Sequence, residues 1–330
     1  MRPLALLAGC LLVILTASDI FSVELHLGAT RTEATKIPIG VVRFEVGKGF
    51  EPQFVAVESV LEADLRRSLV FNLVDTSPLL ARESSRSPET ALIKRLGASG
   101  IQALVWLSLS QQQSELTLEA QVYDGASGQR VFGKRYVAQA SFLRAVVHRL
   151  VDDLVLQYTG QPGIAQTRIA YTSDKTGHKE LYVMDYDGYN PQRITGDRSL
   201  SLFPRWAPDG KSLVYTSYKD GQPEIFSLDL AGGRRQKLVS FQGLNMSPAW
   251  SPSGKLLAFA TTKDGDAEIY TVDPEGKKFQ RLTVSPGDDI SPSWSPTGRE
   301  IVFNSDRGGS PQVYIMNLDG ADVRRLTFAG

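Results

Sequence analysis

The sequence predicts a two-domain chain, α+β followed by all-β: an N-terminal α/β sandwich with a mixed sheet, then a β-propeller. Three observations predict it. Strand and helix patterns alternate up to about residue 160. Beyond residue 168, one pattern recurs four times at a fixed 44-residue step, without insertion or deletion. Short strand patterns and Gly/Pro turns fill each step, which is the signature of a propeller blade.

The first residues read as an export signal. Arg2 gives a short basic start, and Leu4 to Thr16 is an apolar run too short to span a bilayer. Thr16-Ala17-Ser18 supplies small residues for cleavage, and residues 1–22 are assigned to the signal. Leu7-Ala8-Gly9-Cys10 imitates a lipoprotein box, but the apolar core continues past Cys10. Cys10 is the sole cysteine, so the mature chain has no disulfide framework and no thiolate metal site. Lys+Arg and Asp+Glu both number 36, which gives no electrostatic case for nucleic acid or an anionic membrane.

Residues 23–160 form the α/β domain. Ile37 to Phe44 reads as a buried strand, and Phe54, Val57, Leu61, Leu65 and Leu69 recur at helical spacing. Phe71 to Val74 is a short strand. Pro88 to Leu96 reads as a second helix, with Ser87 as N-cap and Pro88 at the first helical position. Ile101 to Leu109, an alternating strand through Leu116, Leu118, Ala120 and Val122, and Arg130 to Val137 follow. Leu143, Val146, Val147, Leu150 and Leu154 make the stripe of a final helix. The order β-α-β-α-β-β-β-α implies a mixed sheet. Residues 161–167 are the linker.

Residues 168–330 carry the repeats. Tyr171, Tyr215, Phe259 and Phe303 keep the step, as do Tyr182, Phe226, Tyr270 and Tyr314, and Gly188, Gly232, Gly276 and Gly320. Trp206, Trp250 and Trp294 do likewise on the first strand of three units. Each unit reads as four strands, with turns such as Pro252-Ser253-Gly254. A lone blade cannot bury both faces, so the aromatics are expected between neighbours. The first unit lacks the Trp-x-Pro strand, which makes it an unclosed blade.

Trp-Ser-Pro-x-Gly-Lys/Arg followed by an Ile/Leu-x-Phe/Tyr strand resembles the repeat of TolB-type propellers. Thr167 to Tyr171, Asp185 to Asn190 and Pro38 to Val42 resemble the same family. The resemblance implies a six-bladed propeller, so that four repeats of an expected six are present and the chain is C-terminally shortened. It also implies a non-enzymatic periplasmic scaffold, monomeric at full length. Such a scaffold links inner-membrane TolA to the peptidoglycan-associated lipoprotein Pal. It supports outer-membrane integrity and constriction at cell division.

Carried over residue by residue, the Pal-facing rim matches Leu202 and Phe203; Leu244, Asn245, Met246 and Ser247; and Asp288, Asp289, Ile290 and Ser291. These lie in the loops entering each first strand. Their apolar members suit a partner surface or equally a cap on the propeller's own channel. Val23, Glu24, Leu25, His26 and Leu27 match the segment that would contact TolA, or form an ordinary edge strand.

Catalytic patterns are missing. No Gly-x-Ser-x-Gly occurs, which weighs against the competing reading of an accessory propeller for a serine hydrolase. His26, His148 and His178 are far apart, and His148 reads as lying on the polar side of its helix with Arg144 and Asp152. No cofactor or metal is expected. Asp288-Asp289 reads as a solvated acidic turn in preference to a Ca²⁺ site.

Overall fold

Five N-terminal strands form one mixed sheet in the computed structural model, which describes residues 35–46, 51–80, 88–112 and 114–328. They are β1 (Ile37–Val46), β2 (Phe71–Val74), β3 (Ala103–Gln112), β4 (Glu115–Asp124) and β5 (Arg130–Gln139), ordered β2-β1-β3-β4-β5. β1 runs parallel to β2 and β3, and the remaining pairs are antiparallel. The predicted N-terminal segment 1–22 and Val23 to Leu27 lie outside the described residues.

Period decides the layers. In α1 (Glu51–Arg67), Phe54, Val57, Leu61 and Leu65 fall on one side and are buried. In α4 (Leu143–Thr159), Val147, Leu150, Val151 and Leu154 do the same. Both helices cover one face of the sheet, over Val105, Leu107, Leu118 and Ala120. A short α2 (Ser77–Leu80) and α3 (Thr90–Ala98) lie on the other face, where Leu92, Ile93 and Leu96 meet Trp106 and Leu104.

Three local expectations change. Leu69 does not continue the α1 stripe; it takes φ 60 and is exposed, turning the chain from the helix end into β2. α3 starts at Thr90 behind an extended Glu89 (φ −72, ψ 135), so Pro88 precedes the helix instead of opening it. Ser87 is outside the described residues. α2 was not read from the sequence; Asp75 accepts the Ser77 amide at 2.9 Å and starts it.

The second half is a row of four antiparallel sheets. The first blade has three strands: β6 (Arg168–Ser173), β7 (Glu180–Asp185) and β8 (Gln192–Arg193). The second holds β9 (Ser201–Trp206), β10 (Ser212–Ser217), β11 (Glu224–Asp229) and β12 (Arg235–Val239). The third holds β13 (Asn245–Trp250), β14 (Leu257–Thr261), β15 (Glu268–Val272) and β16 (Phe279–Arg281). The fourth holds β17 (Asp289–Trp294), β18 (Glu300–Ser305), β19 (Gln312–Asn317) and β20 (Arg324–Arg325).

Equivalent residues fill equivalent gaps. Leu181 of the first blade meets Tyr215, Phe226 and Leu228 of the second. Val214 and Ile225 of the second meet Leu257, Phe259 and Tyr270 of the third. Ala258 and Ile269 of the third meet Ile301, Phe303 and Tyr314 of the fourth. Each blade therefore gains its cover from its neighbour, and burying one such aromatic contributes about 2–3 kcal/mol. The tryptophans end the first strands, paired with Leu213, Leu257 and Ile301. They are half-buried, lying at the margin of the inter-blade cores and not at their centres.

The repeated glycine has a contact reason. At Gly276 and Gly320 (φ 73 and 84) a Cβ would sit 2.8 and 2.3 Å from the carbonyl oxygens of Leu238 and Leu282, one blade back. At Gly188, in the first blade, it would meet nothing within 4 Å.

Candidate functional site

The first strand of each four-stranded blade carries a repeated backbone irregularity. Phe203, Ser247 and Ser291 are 44 residues apart and adopt φ 54, 54 and 56. The register of β9, β13 and β17 against β10, β14 and β18 shifts at these places. A left-handed non-glycine residue costs about 1 kcal/mol or more, and a bulge re-aims the side chains beside it.

This geometry revises the predicted rim. Most of its residues lie within β9, β13 and β17, not in the loops before them; Leu244 and Asp288 are the two that precede their strands. Phe203, Leu244, Asp288 and Ser291 are exposed, whereas Leu202 and Ser247 are half-buried. Met246 and Ile290 are half-buried against the core between the third and fourth blades. Asn245 and Asp289 are fully buried. Asn245 donates to the carbonyls of Pro223 and Phe241 at 3.1 and 2.7 Å and accepts from the Thr261 hydroxyl at 2.9 Å.

Of the acidic pair, Asp288 is exposed as expected, but Asp289 is not solvated. Asp289 accepts from Arg307 at 2.6 Å and from the Ser285 hydroxyl at 3.1 Å. Asp288 accepts from the Ala267 amide at 2.9 Å. At Asp289 a guanidinium from the turn after β18 and a hydroxyl from the loop after β16 replace the water expected there. Phe203 and Leu202 also line a cleft of about 640 Å³ with Tyr171, Asp174 and Lys179 beside β6.

A second repeated set is polar and internal. Glu180, Glu224, Glu268 and Gln312 open the equivalent strands β7, β11, β15 and β19 at the 44-residue step, and all four are buried. The Thr195, Thr283 and Thr327 hydroxyls donate to Glu180, Glu268 and Gln312 at 2.5, 2.6 and 2.6 Å. Arg281 donates to Glu268 at 2.8 Å, and Lys237 to Glu224 at 3.0 Å. Sequence reading passed over this row because its members carry charge. A glutamate recurring at the blade period was nevertheless a legible signal.

A third group joins the two folded parts. On α4, Arg144, His148 and Asp152 stand four residues apart and share one face. That face is not solvated: His148 is 5% exposed. Its Nδ1 lies 2.5 Å from Asp64 Oδ2 of α1. Its Nε2 lies 3.7 Å from Asp187 Oδ2, in the turn between β7 and β8. The Tyr186 hydroxyl donates to Asp64, and Arg144 donates to Asp187. The Arg144 guanidinium also stacks 4.3 Å from the Tyr189 ring. Asp152 accepts the linker amides of Ala165 and Gln166 at 2.7 and 3.1 Å.

Burial, with Asp64 beside it, pushes the Tyr186 hydroxyl well above its ordinary range. Burial also opposes ionisation of Asp187, but the Tyr189 amide, Arg144 and His148 outweigh it and hold the carboxyl below its ordinary range.

Asp64, His148 and Asp187 place one ligand atom each within 4.8 Å of one another, a spacing that could hold a metal ion. Both carboxylates are already engaged, however. Tyr186 and His148 occupy Asp64, and Arg144 brings a cation to Asp187. The arrangement acts as an ion and hydrogen-bond network. His178 stands exposed in a blade turn, and His26 lies outside the described residues. Among the described residues no helix is long and apolar enough to cross a membrane.

Comparison with known proteins agrees with this architecture. Residues 25–131 match the TolB amino-terminal domain family, and residues 156–330 match the TolB beta propeller domain family. A Tol-Pal system protein TolB of Geobacter sulfurreducens is 36% identical over 214 residues, covering 64% of this chain and 49% of the relative. One of Desulfosudis oleivorans is 34% identical over 183 residues, covering 54% and 42%. The crystal structure of TolB from Acinetobacter baumannii superposes with a TM-score of 0.74 at 30% identity, covering 89% of this chain and 72% of that one. The matched region spans a little under half the length of these two curated relatives. With both domain families present in order, the chain belongs to the TolB family.

Proposed function

We propose that the chain is a periplasmic, non-enzymatic binding scaffold of the Tol-Pal envelope system. It would take the peptidoglycan-associated lipoprotein Pal on its propeller rim and TolA through residues 23–27, supporting outer-membrane integrity and constriction at division. One observation carries this reading: an amino-terminal TolB domain and a TolB propeller on one chain, in that order. The exposed side chains of Phe203 and Leu244, with Asp288 and Ser291 beside the bulges, are the rim members that remain free to meet a partner. Asn245 and Asp289 hold the strand from beneath, and Met246 and Ile290 pack inward.

The test is calorimetric titration of the 330-residue chain with soluble Pal. A Phe203→Asp, Leu244→Asp double variant is expected to bind at least about tenfold more weakly, since apolar anchors dominate interface energies. Unchanged affinity in the variant would remove these residues from the interface. Absence of any binding by the parent chain would refute Pal as its partner. A separate pull-down with TolA, with and without residues 23–27, tests the second contact.

A further inference from the structure

The joint between the amino-terminal domain and the first blade is built from charge. Among the described residues, none of the five hydrophobic clusters crosses it: two lie wholly in the α/β domain and three lie between blades. What crosses are the links from Asp64, Arg144 and His148 to Tyr186, Asp187 and Tyr189, and the linker held by Asp152. A polar joint of this kind permits relative motion of its two sides unless its polar links hold.

We infer that His148 is a proton-carrying latch, hydrogen-bonded to Asp64 and standing as an imidazolium at ion-pair distance from Asp187, and that it releases the first blade when it loses that proton. Three observations support this. First, both carboxylates have fully buried side chains, which require cationic partners. Arg144 supplies one charge, while Arg67 reaches Asp64 only from a half-exposed position at 3.5 Å. An imidazolium balances the second.

Second, each imidazole nitrogen faces a carboxylate oxygen, Nδ1 at 2.5 Å and Nε2 at 3.7 Å. A neutral ring carries one N–H, and its other nitrogen would present a lone pair to an anion. Third, Nε2 is buried and has no hydrogen-bond partner among the described residues, with the Asp187 carboxylate 3.7 Å away. Tyr186 packs edge-on against the ring, and the other charged or titratable groups of the joint are Arg67 from α1, Arg144 and Asp152 from α4, and Tyr189 from the blade turn.

This inference does not depend on which partners the propeller binds. It is tested by amide hydrogen exchange of the whole 330-residue chain over a pH series from about 5 to about 9. Rates are corrected for the intrinsic pH dependence of exchange. The amides of Tyr186 and Tyr189, bonded to the Thr167 carbonyl and the Asp187 carboxylate, report the joint. Those of β3 and β4 report the domain core. The expected result is a rise of about tenfold or more in opening of the joint as pH increases, with the core unchanged.

His148→Gln, which keeps polarity without the charge, is expected to give fast joint exchange at every pH and no step. A flat profile in the parent chain overturns the inference. So does a step that survives in His148→Gln. Slowed joint exchange on adding Zn²⁺, abolished by the same variant, also overturns it, because the cluster would then be a metal site.

Discussion

Trp294 donates its indole N–H to the carbonyl of Ala249, one blade back, at 2.9 Å. The two residues are 45 apart, one repeat plus one, so the bond ties the end of one first strand to the end of the preceding one. It satisfies a half-buried indole that the repeat brings to the same place in each unit. Trp206 and Trp250 keep the position, but their buried indole nitrogens have no hydrogen-bond partner among the described residues. Replacing Trp294 by Phe is expected to lower stability by about 1–2 kcal/mol, combining a lost bond with lost packing. The same change at Trp250 should cost less, since no bond is lost there. Urea midpoints of the two variants decide this.

Phe259 is wholly buried between the second and third blades. Phe259→Ala should cost about 3–5 kcal/mol. Because each blade is held by its neighbours, the propeller transition is expected to broaden or split in calorimetry. The α/β domain, with its own two cores, should keep its transition.

Gly320 and Gly309 separate two reasons for a repeated glycine. Both have positive φ, 84 and 93, but only at Gly320 would a Cβ strike a neighbouring blade's backbone, 2.3 Å from Leu282 O. Gly309→Ala should cost about 1 kcal/mol from left-handed strain alone. Gly320→Ala should cost about 2 kcal/mol more, because two backbones must part. Equal losses in thermal melts would show that the blades give way at this contact.

Glu268 accepts from Arg281, the Thr283 hydroxyl and the Ser285 amide. Glu268→Ala strands all three donors and should destabilise by about 3 kcal/mol. Glu268→Gln, the residue the fourth blade uses as Gln312, should cost about 1 kcal/mol. Chemical denaturation of the two variants reads the difference.

Acid should loosen the chain through several carboxyls. The Ser127 hydroxyl and amide hold Asp124 below its ordinary range. At Asp187, the Tyr189 amide, Arg144 and His148 overcome the opposing effect of burial. A lowered folded-state value means a stabilising contribution that is present above the usual carboxylate range, about pH 4, and lost as pH falls through the folded value. Stability should therefore decline below about pH 4. In Asp124→Asn the decline should be shallower, as judged from urea midpoints across that interval.

The sequence by itself determined the blades. A strand pattern repeating every 44 residues leaves each sheet with two apolar faces, and only stacking covers both. The mixed sheet was equally legible, because periods of two and 3.6 distinguish strands from helices without tertiary information. The tertiary structure decided where polar groups go. Asp289 has the composition of a solvated turn, yet Arg307 from the turn after β18 takes it out of water. Arg144, His148 and Asp152 stand together on one helix in the sequence, and nothing local says whether that face meets solvent or another domain. A charged side chain tolerates burial only when a partner distant in the chain arrives to compensate it, and that arrival is settled by folding.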